Sequence, residues 1–329
     1  MKSIFKDTGI VLFVCLLLSL FVAVFTPYPA AGVIHQVFSN GGPAKEPTNY
    51  LEVNQKIDIQ KNLSYPSSAA NNRYDLILPK TTGKHPVIFW LHGGAYVGGQ
   101  KEDVSIYTNM LAAEGFAVVN IEYDLAPRTR YPGPLIQLAE VYREIQLKAT
   151  DYSLDLENVV FGGDSAGGQI VAQFINSQVN DEYAQGTGFE RTVDPATIKS
   201  AIFFCAPFSL SEATKPLREL PLLDFFVKRI GWAYTGNPDW FESTIIQEAD
   251  MLTHITGNFP RSFITDAHNF SFEDQGKALA KLLESQGTEV VTAFYDSQEE
   301  LDHEYQFDMT LPASQATFEA VVEFLKPLK

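Results

Sequence analysis

Apolar positions along this chain fall into two regimes. The first is an uninterrupted run of apolar and small residues from Gly9 to Phe25, preceded by Lys2 and Lys6. A run of that length is about the minimum that spans a hydrocarbon core of roughly 30 Å as a helix. No convincing small-x-small cleavage site follows, because Thr26-Pro27-Tyr28-Pro29-Ala30 puts prolines and a tyrosine where small residues are wanted. The pattern predicts an uncleaved signal anchor over residues 1–26, with the lysines in the cytoplasm and the body outside. A cleaved signal and a secreted body is the alternative.

In the second regime, short apolar runs alternate with helix-period segments. Residues 27–55 read as an N-terminal extension, exposed and linker-like from Asn40 to Asn54. Lys56–Leu63 and Arg73–Leu78 suit two antiparallel strands entering a sheet. Pro86–Leu91 is almost wholly apolar, as a strand buried on both faces should be. Strand and helix then take turns: helix Asp103–Glu114, strand Phe116–Glu122, helix Tyr131–Ala149, strand Asn158–Gly163, a helix to Val179, and strand Ser200–Ala206. Strand Arg261–Thr265, helix Glu273–Ser285, strand Glu289–Tyr295 and helix Ala313–Leu325 complete the pattern. This order predicts an α/β fold over 56–329, a mostly parallel sheet with helices on both faces and its active site at the strands' carboxyl ends. A long insertion, Pro207 to Pro260, interrupts the alternation as a cap. Its aromatic-rich helix Leu222–Tyr234 either lines an acyl or aryl pocket or packs as ordinary core.

Composition adds little. At 45% hydrophobic, 329 residues can bury a large core. A net charge of -16 argues against nucleic acid or anionic headgroups as main partner, since both would repel it. Cys15 lies in the N-terminal run and Cys205 in a buried strand, so a disulfide between them is not expected.

The chemistry gathers at two glycine loops. Val159-Val160-Phe161 runs directly into Gly162-Gly163-Asp164-Ser165-Ala166-Gly167-Gly168 and then a helix. In a Gly-x-Ser-x-Gly turn between strand and helix, the glycines remove side chains that would clash, and the serine hydroxyl projects above the sheet. Ser165 is the candidate nucleophile; the five-residue pattern alone leaves open a phosphate-cradling or merely structural turn. No P-loop lysine follows, and the spacing departs from a dinucleotide fingerprint. The second loop, His92-Gly93-Gly94-Ala95, leaves backbone amides bare directly after a buried strand. His92 itself reads as structural.

These two loops, with Tyr123-Asp124-Leu125-Ala126-Pro127 and a late histidine, resemble the hormone-sensitive-lipase-like branch of the α/β-hydrolase fold over most of the chain from about Lys56. The resemblance implies a serine carboxylesterase acting on small-molecule esters without cofactor or metal. Ser165 is then the nucleophile, His303 the general base, and Gly93, Gly94 and Ala166 the oxyanion donors. A base of this kind titrates near the ordinary histidine value of about 6.5, moved by its carboxylate partner. The chain departs from the family at the third triad member. Relatives carry Asp-Pro-Leu a few residues after the penultimate strand, where the offset here gives Asn269-Phe270-Ser271. Asp266, Glu273 and Asp274 are the nearby carboxylates; Asp266, which ends the strand, is the first expectation and Glu273 the second. The missing aspartate also motivates a different reading, a catalytically silent binding domain on the same fold. An amidase or peptidase could use the same machinery.

Overall fold

The computed structural model describes residues 13, 15, 21–38, 42, 44–215, 219–296 and 299–329. Eight strands form one sheet in the order β1-β2-β4-β3-β5-β6-β7-β8. They are β1 (Ile57–Ser64), β2 (Arg73–Pro79), β3 (His85–Leu91), β4 (Ala117–Ile121), β5 (Leu154–Asp164), β6 (Ile198–Phe204), β7 (Arg261–Thr265) and β8 (Val290–Ala293). Only the pairings β1–β2 and β2–β4 are antiparallel; from β4 through β8 every neighbour is parallel.

Burial follows the sequence pattern. Every residue of β3 and of β4 is buried, because helices cover both faces of the sheet centre. One apolar layer is built around Phe89, Phe161, Ile170 and Phe203, the other around Trp90, Tyr107, Phe204 and Phe307. The C-terminal helix Pro312–Leu325 contributes Val321, Phe324 and Leu325 to the second layer. The insertion between β6 and β7 is helical, with its longest helix at Pro221–Thr235.

Residues 27–55 differ from the expected extension. Tyr28–Phe38 and Tyr50–Gln55 are helices. Ala30 and Ala31 are buried, and Val53 packs in the second core layer. Their small or isolated apolar residues make helical contacts that too few periodic positions announce in the sequence. Among the described residues, no helix is long and apolar enough to cross a membrane. Of the run Gly9–Phe25, only Phe13, Cys15 and residues 21–25 belong to the described set, so the expected anchor lies largely outside it.

Candidate active site

The parallel strands deliver their loops to one edge of the sheet. β3 ends in the loop 92–99, β5 in Ser165, β6 in Cys205 and β7 in Asp266, while the loop after β8 carries His303.

At the end of β5 the chain turns into the helix Ser165–Val179 with Ser165 at φ 47°, a left-handed conformation unusual for a side-chain-bearing residue. The turn is possible because Gly167 is bare: a Cβ there would lie 2.2 Å from the Leu91 carbonyl oxygen. Held in this way, Ser165 Oγ is 3.0 Å from His303 Nε2.

The far side of His303 holds a residue that sequence offsets assigned no role. Its Nδ1 is 2.7 Å from Ser271 Oγ, and the Ser271 hydroxyl in turn donates to Asp266 Oδ1. An ionised carboxylate only accepts hydrogen bonds, so the Ser271 proton points to Asp266 and the Ser271 oxygen accepts from Nδ1–H. That fixes the tautomer in which Nε2 is free to accept from Ser165. Asp266 is thus brought to the site, but through Ser271. Among the described residues it makes no direct hydrogen bond to His303, although a carboxylate oxygen, a ring nitrogen and Cys205 Sγ all lie within 4.8 Å of one another. The Ala267 amide also donates to Asp266 Oδ1, at 2.8 Å.

The other acid candidates are elsewhere. Glu273 pairs with His268 Nδ1 and Lys277 Nζ, each at 2.8 Å, and Asp274 is exposed. Asn269 acts through its backbone: its amide donates to the Leu301 carbonyl and its own carbonyl accepts from the His303 amide, both at 3.2 Å. The position that matches the family's aspartate therefore braces the histidine loop.

Burial sets the electrostatics. Asp266 is pushed up to about 6 by desolvation, against the Ser271 and backbone hydrogen bonds that favour its charge. His303 is lowered to about 4 by desolvation, well below the ordinary histidine value expected above. The side chain still keeps 24% of its surface exposed, and Phe272 stands edge-on to the ring at 5.6 Å.

The oxyanion loop corrects one expectation. The Gly93 amide is committed to Asp164 Oδ2 at 2.7 Å and is not available to a substrate. Neither the Gly94 nor the Ala95 amide donates to another described residue. Ala95 lines the same pocket as Ser165 and Ala166, which moves the candidate donor set to Gly94, Ala95 and Ala166. Gly94 sits at φ +115°, and a Cβ on it would lie 2.1 Å from the Gly98 carbonyl oxygen, so the loop closes only with glycine there. His92 is buried and scaffolds the loop, with Nδ1 2.7 Å from the Gly93 carbonyl and its ring stacked on Tyr123. The Asp124-Leu125-Ala126 segment braces the same loop, Ala126 donating to the Tyr96 carbonyl at 2.9 Å.

Beside Ser165 opens an almost wholly apolar cavity of about 150 Å³. Val227, Ile230 and Tyr234 from the cap helix line it, along with Leu210, Trp240 and Ile246. The cap's aromatic residues divide: Tyr234 stacks on Tyr96 with ring centroids 4.0 Å apart, while Phe225 is 37% exposed.

A strained serine on a strand-to-helix turn, facing a histidine and bare amides at the carboxyl edge of a mainly parallel sheet, defines the site of an α/β-hydrolase. A family model for the alpha/beta hydrolase fold matches residues 88–306. The chain belongs to that family, in the hormone-sensitive-lipase-like branch. It is similar to an esterase of Gibberella moniliformis, 25% identical over 221 residues covering 62% of this chain and 63% of that protein. It is also similar to an acetyl esterase of Salmonella schwarzengrund, 32% identical over 96 residues, 29% of either chain. The chain thus spans under two thirds of the length of these curated relatives. Among solved structures, an inhibited esterase B of Lactobacillus rhamnosis superposes with a TM-score of 0.72 at 20% identity, covering 87% of this chain and 89% of that one, a likeness of fold.

Proposed function

We propose that this protein is a serine carboxylesterase that hydrolyses short-chain esters through an acyl-enzyme. The reading rests on one observation, the unbroken file Ser165 Oγ, His303 Nε2, His303 Nδ1, Ser271 Oγ, Asp266 Oδ1. In this mechanism Ser165 attacks the ester carbonyl as its proton passes to His303 Nε2. The Gly94, Ala95 and Ala166 amides take the oxyanion, and the imidazolium returns its proton to the leaving alcohol. Water then repeats the sequence on the acyl-enzyme. The names of the esterase relatives support the reaction class. An apolar cavity of about 150 Å³ beside Ser165 suits a short acyl group, since a cavity of that size holds a benzene-sized guest.

The enzyme is tethered to the membrane by the run Gly9–Phe25, its catalytic body outside. Cleavage near Ala31 would cut a helix whose Ala30 and Ala31 are buried, and Arg229 Nη2 of the cap donates to the Val24 carbonyl at 2.7 Å. The test of the chemistry is turnover of a panel of p-nitrophenyl esters by protein lacking residues 1–26. Activity on acetate and butyrate esters that Ser165→Ala abolishes supports the proposal. Folded wild-type protein inert on every ester would leave the silent binding domain as the better reading.

A further inference from the structure

On the side of His303 away from Ser271 lies a second pair of acids outside the Ser165–Asp266 file. Glu304 follows the histidine directly and is held at φ 62°, a left-handed conformation that a glutamate adopts at a cost. Its amide donates to Cys205 Sγ at 3.3 Å, and its carbonyl accepts from the Phe307 amide at 3.1 Å. This backbone turns the side chain inward. Glu304 Oε1 reaches within 3.7 Å of His303 Nε2. A Cβ built on Gly93 would lie 2.7 Å from Glu304 Oε1, 2.7 Å from Asp164 Oδ2 and 3.0 Å from Ser165 Cβ, so all three side chains converge on the bare face of that glycine. Asp164 is buried, accepting from Trp90 Nε1 at 2.9 Å and from the Gly93 amide at 2.7 Å.

Two carboxylates meeting in so buried a place cannot both stay ionised unless a cation faces them. Lys101 is engaged by Asp75 and Glu102. His92 favours the charge on Asp164 but lies 3.4 Å from Glu122, the carboxylate that acts on it more strongly. The remaining groups around the pair offer no positive charge: Asp103 adds a negative one, and Tyr123 donates its hydroxyl to the His92 carbonyl. Asp266 lies across His303 with Ser271. The two carboxyls therefore hold one proton between them.

We propose that Glu304 is a positioning residue for the esterase reaction: the proton it shares with Asp164 ties the His303 loop to the strand end bearing Ser165, and the pair's single negative charge supports the imidazolium. This rests on the serine-esterase reading above. The energetics agree with the geometry. Burial pushes Glu304 well above the usual carboxylate range, and the neighbouring Asp164 charge pushes it further. Asp164 is itself raised by burial, against its hydrogen bonds from Trp90 and Gly93. A raised folded-state pKa gives stability that is present below the ordinary glutamate value and lost as pH rises through the folded value. As pH rises through the folded value the shared proton leaves, two negative charges face each other, and the tie between the loops is broken.

The experiment compares Glu304→Gln and Glu304→Ala with wild type on a soluble p-nitrophenyl ester from neutral to alkaline pH, with melting temperatures alongside. Glutamine can donate to Asp164 in place of the shared proton, keeps the pair's single charge and cannot titrate. Glu304→Ala should lower kcat at pH 7 by roughly 10²-fold with little change in KM, as for loss of a transition-state electrostatic contact. Glu304→Gln should restore most of that loss and remove the fall with rising pH that is expected of wild type. If Glu304→Ala does not fold, the Gln profile decides alone: a fall with rising pH identical to wild type overturns the proposal. So does a folded Glu304→Ala protein with wild-type kcat. An inert wild type would instead defeat the esterase reading itself, so the two failures are distinguishable.

Discussion

Ser271 Oγ stands 2.7 Å from Nδ1 of His303, in the place where a triad carboxylate would ordinarily bind the ring. The carboxylate is one atom further back, at Asp266, with the serine hydroxyl passing its influence on. The hydroxyl accepts Nδ1–H as a carboxylate oxygen would, so tautomer and ring orientation are kept. What weakens is the direct charge support for the imidazolium, because the negative oxygen no longer touches the ring.

Ser271 and Asp266 should therefore act as a unit. Asp266→Asn is expected to lower kcat by about 10²- to 10⁴-fold, the upper figure being the loss seen in a serine protease with direct contact. Ser271→Ala should fall in the same range, and the double variant should be little worse than either single. The amide oxygen introduced by Asp266→Asn can still accept from the Ala267 amide, so the melting temperature of that variant should stay close to wild type. Glu273→Gln and Asn269→Asp should both be mild. Steady-state kinetics beside thermal melts checks all five; additive losses for D266N and S271A would contradict the relay.

The acid limb of activity follows from the same unit. Asp266 must be ionised, and with its pKa raised to about 6 it takes up a proton as pH falls through that value. His303, lowered to about 4, must be neutral and loses that state only further down. We expect kcat/KM to fall below about pH 6 and more steeply near 4, and D266N to lack the first step. Stability moves differently. The raised Asp266 pKa favours the folded state as pH drops from 6, while the lowered His303 pKa disfavours it below the ordinary value of about 6.5. These contributions oppose each other, so activity lost at pH 5 should return on neutralisation, with circular dichroism showing a folded protein throughout.

Acyl length should be set by the cap helix. Val227→Ala or Ile230→Ala enlarges the cavity and is expected to shift the preferred p-nitrophenyl ester by two or more carbons, with the acetate rate changed less than about threefold. Gly231→Ala should instead destabilise, because a Cβ there would lie 1.9 Å from the Trp240 indole. An unchanged chain-length profile in both enlarged variants would contradict the assignment of this cavity to the acyl group.

Full-length protein should remain in the membrane fraction after a carbonate wash, with its body open to external protease. Recovery of a soluble mature form beginning near Ala31 or Gly32 would contradict the tether.

Much of the fold was legible because burial on both faces leaves a plain mark. Pro86–Leu91 and Ser200–Ala206 read as strands from their apolar runs, and the glycines of the serine turn are dictated by clashes that any side chain would cause. The acid was only half legible. Asp266 could be picked as the carboxylate ending a strand, but its route through Ser271 depends on where a loop folds back, which neither periodicity nor offset encodes. Gly93 was misjudged for a related reason: nothing local announces that Asp164, 71 residues on, takes its amide. Glu304 gave a faint signal, a glutamate directly after the candidate base, yet the shared proton needs Asp164 to be brought beside it.

The most direct test of the account is where a serine-directed phosphonate attaches. Intact-mass and peptide-mapping spectrometry of the labelled protein should find one adduct, on Ser165, absent from Ser165→Ala and slowed in Ser271→Ala. An adduct on another residue, or none on folded wild-type protein, would contradict the central claim.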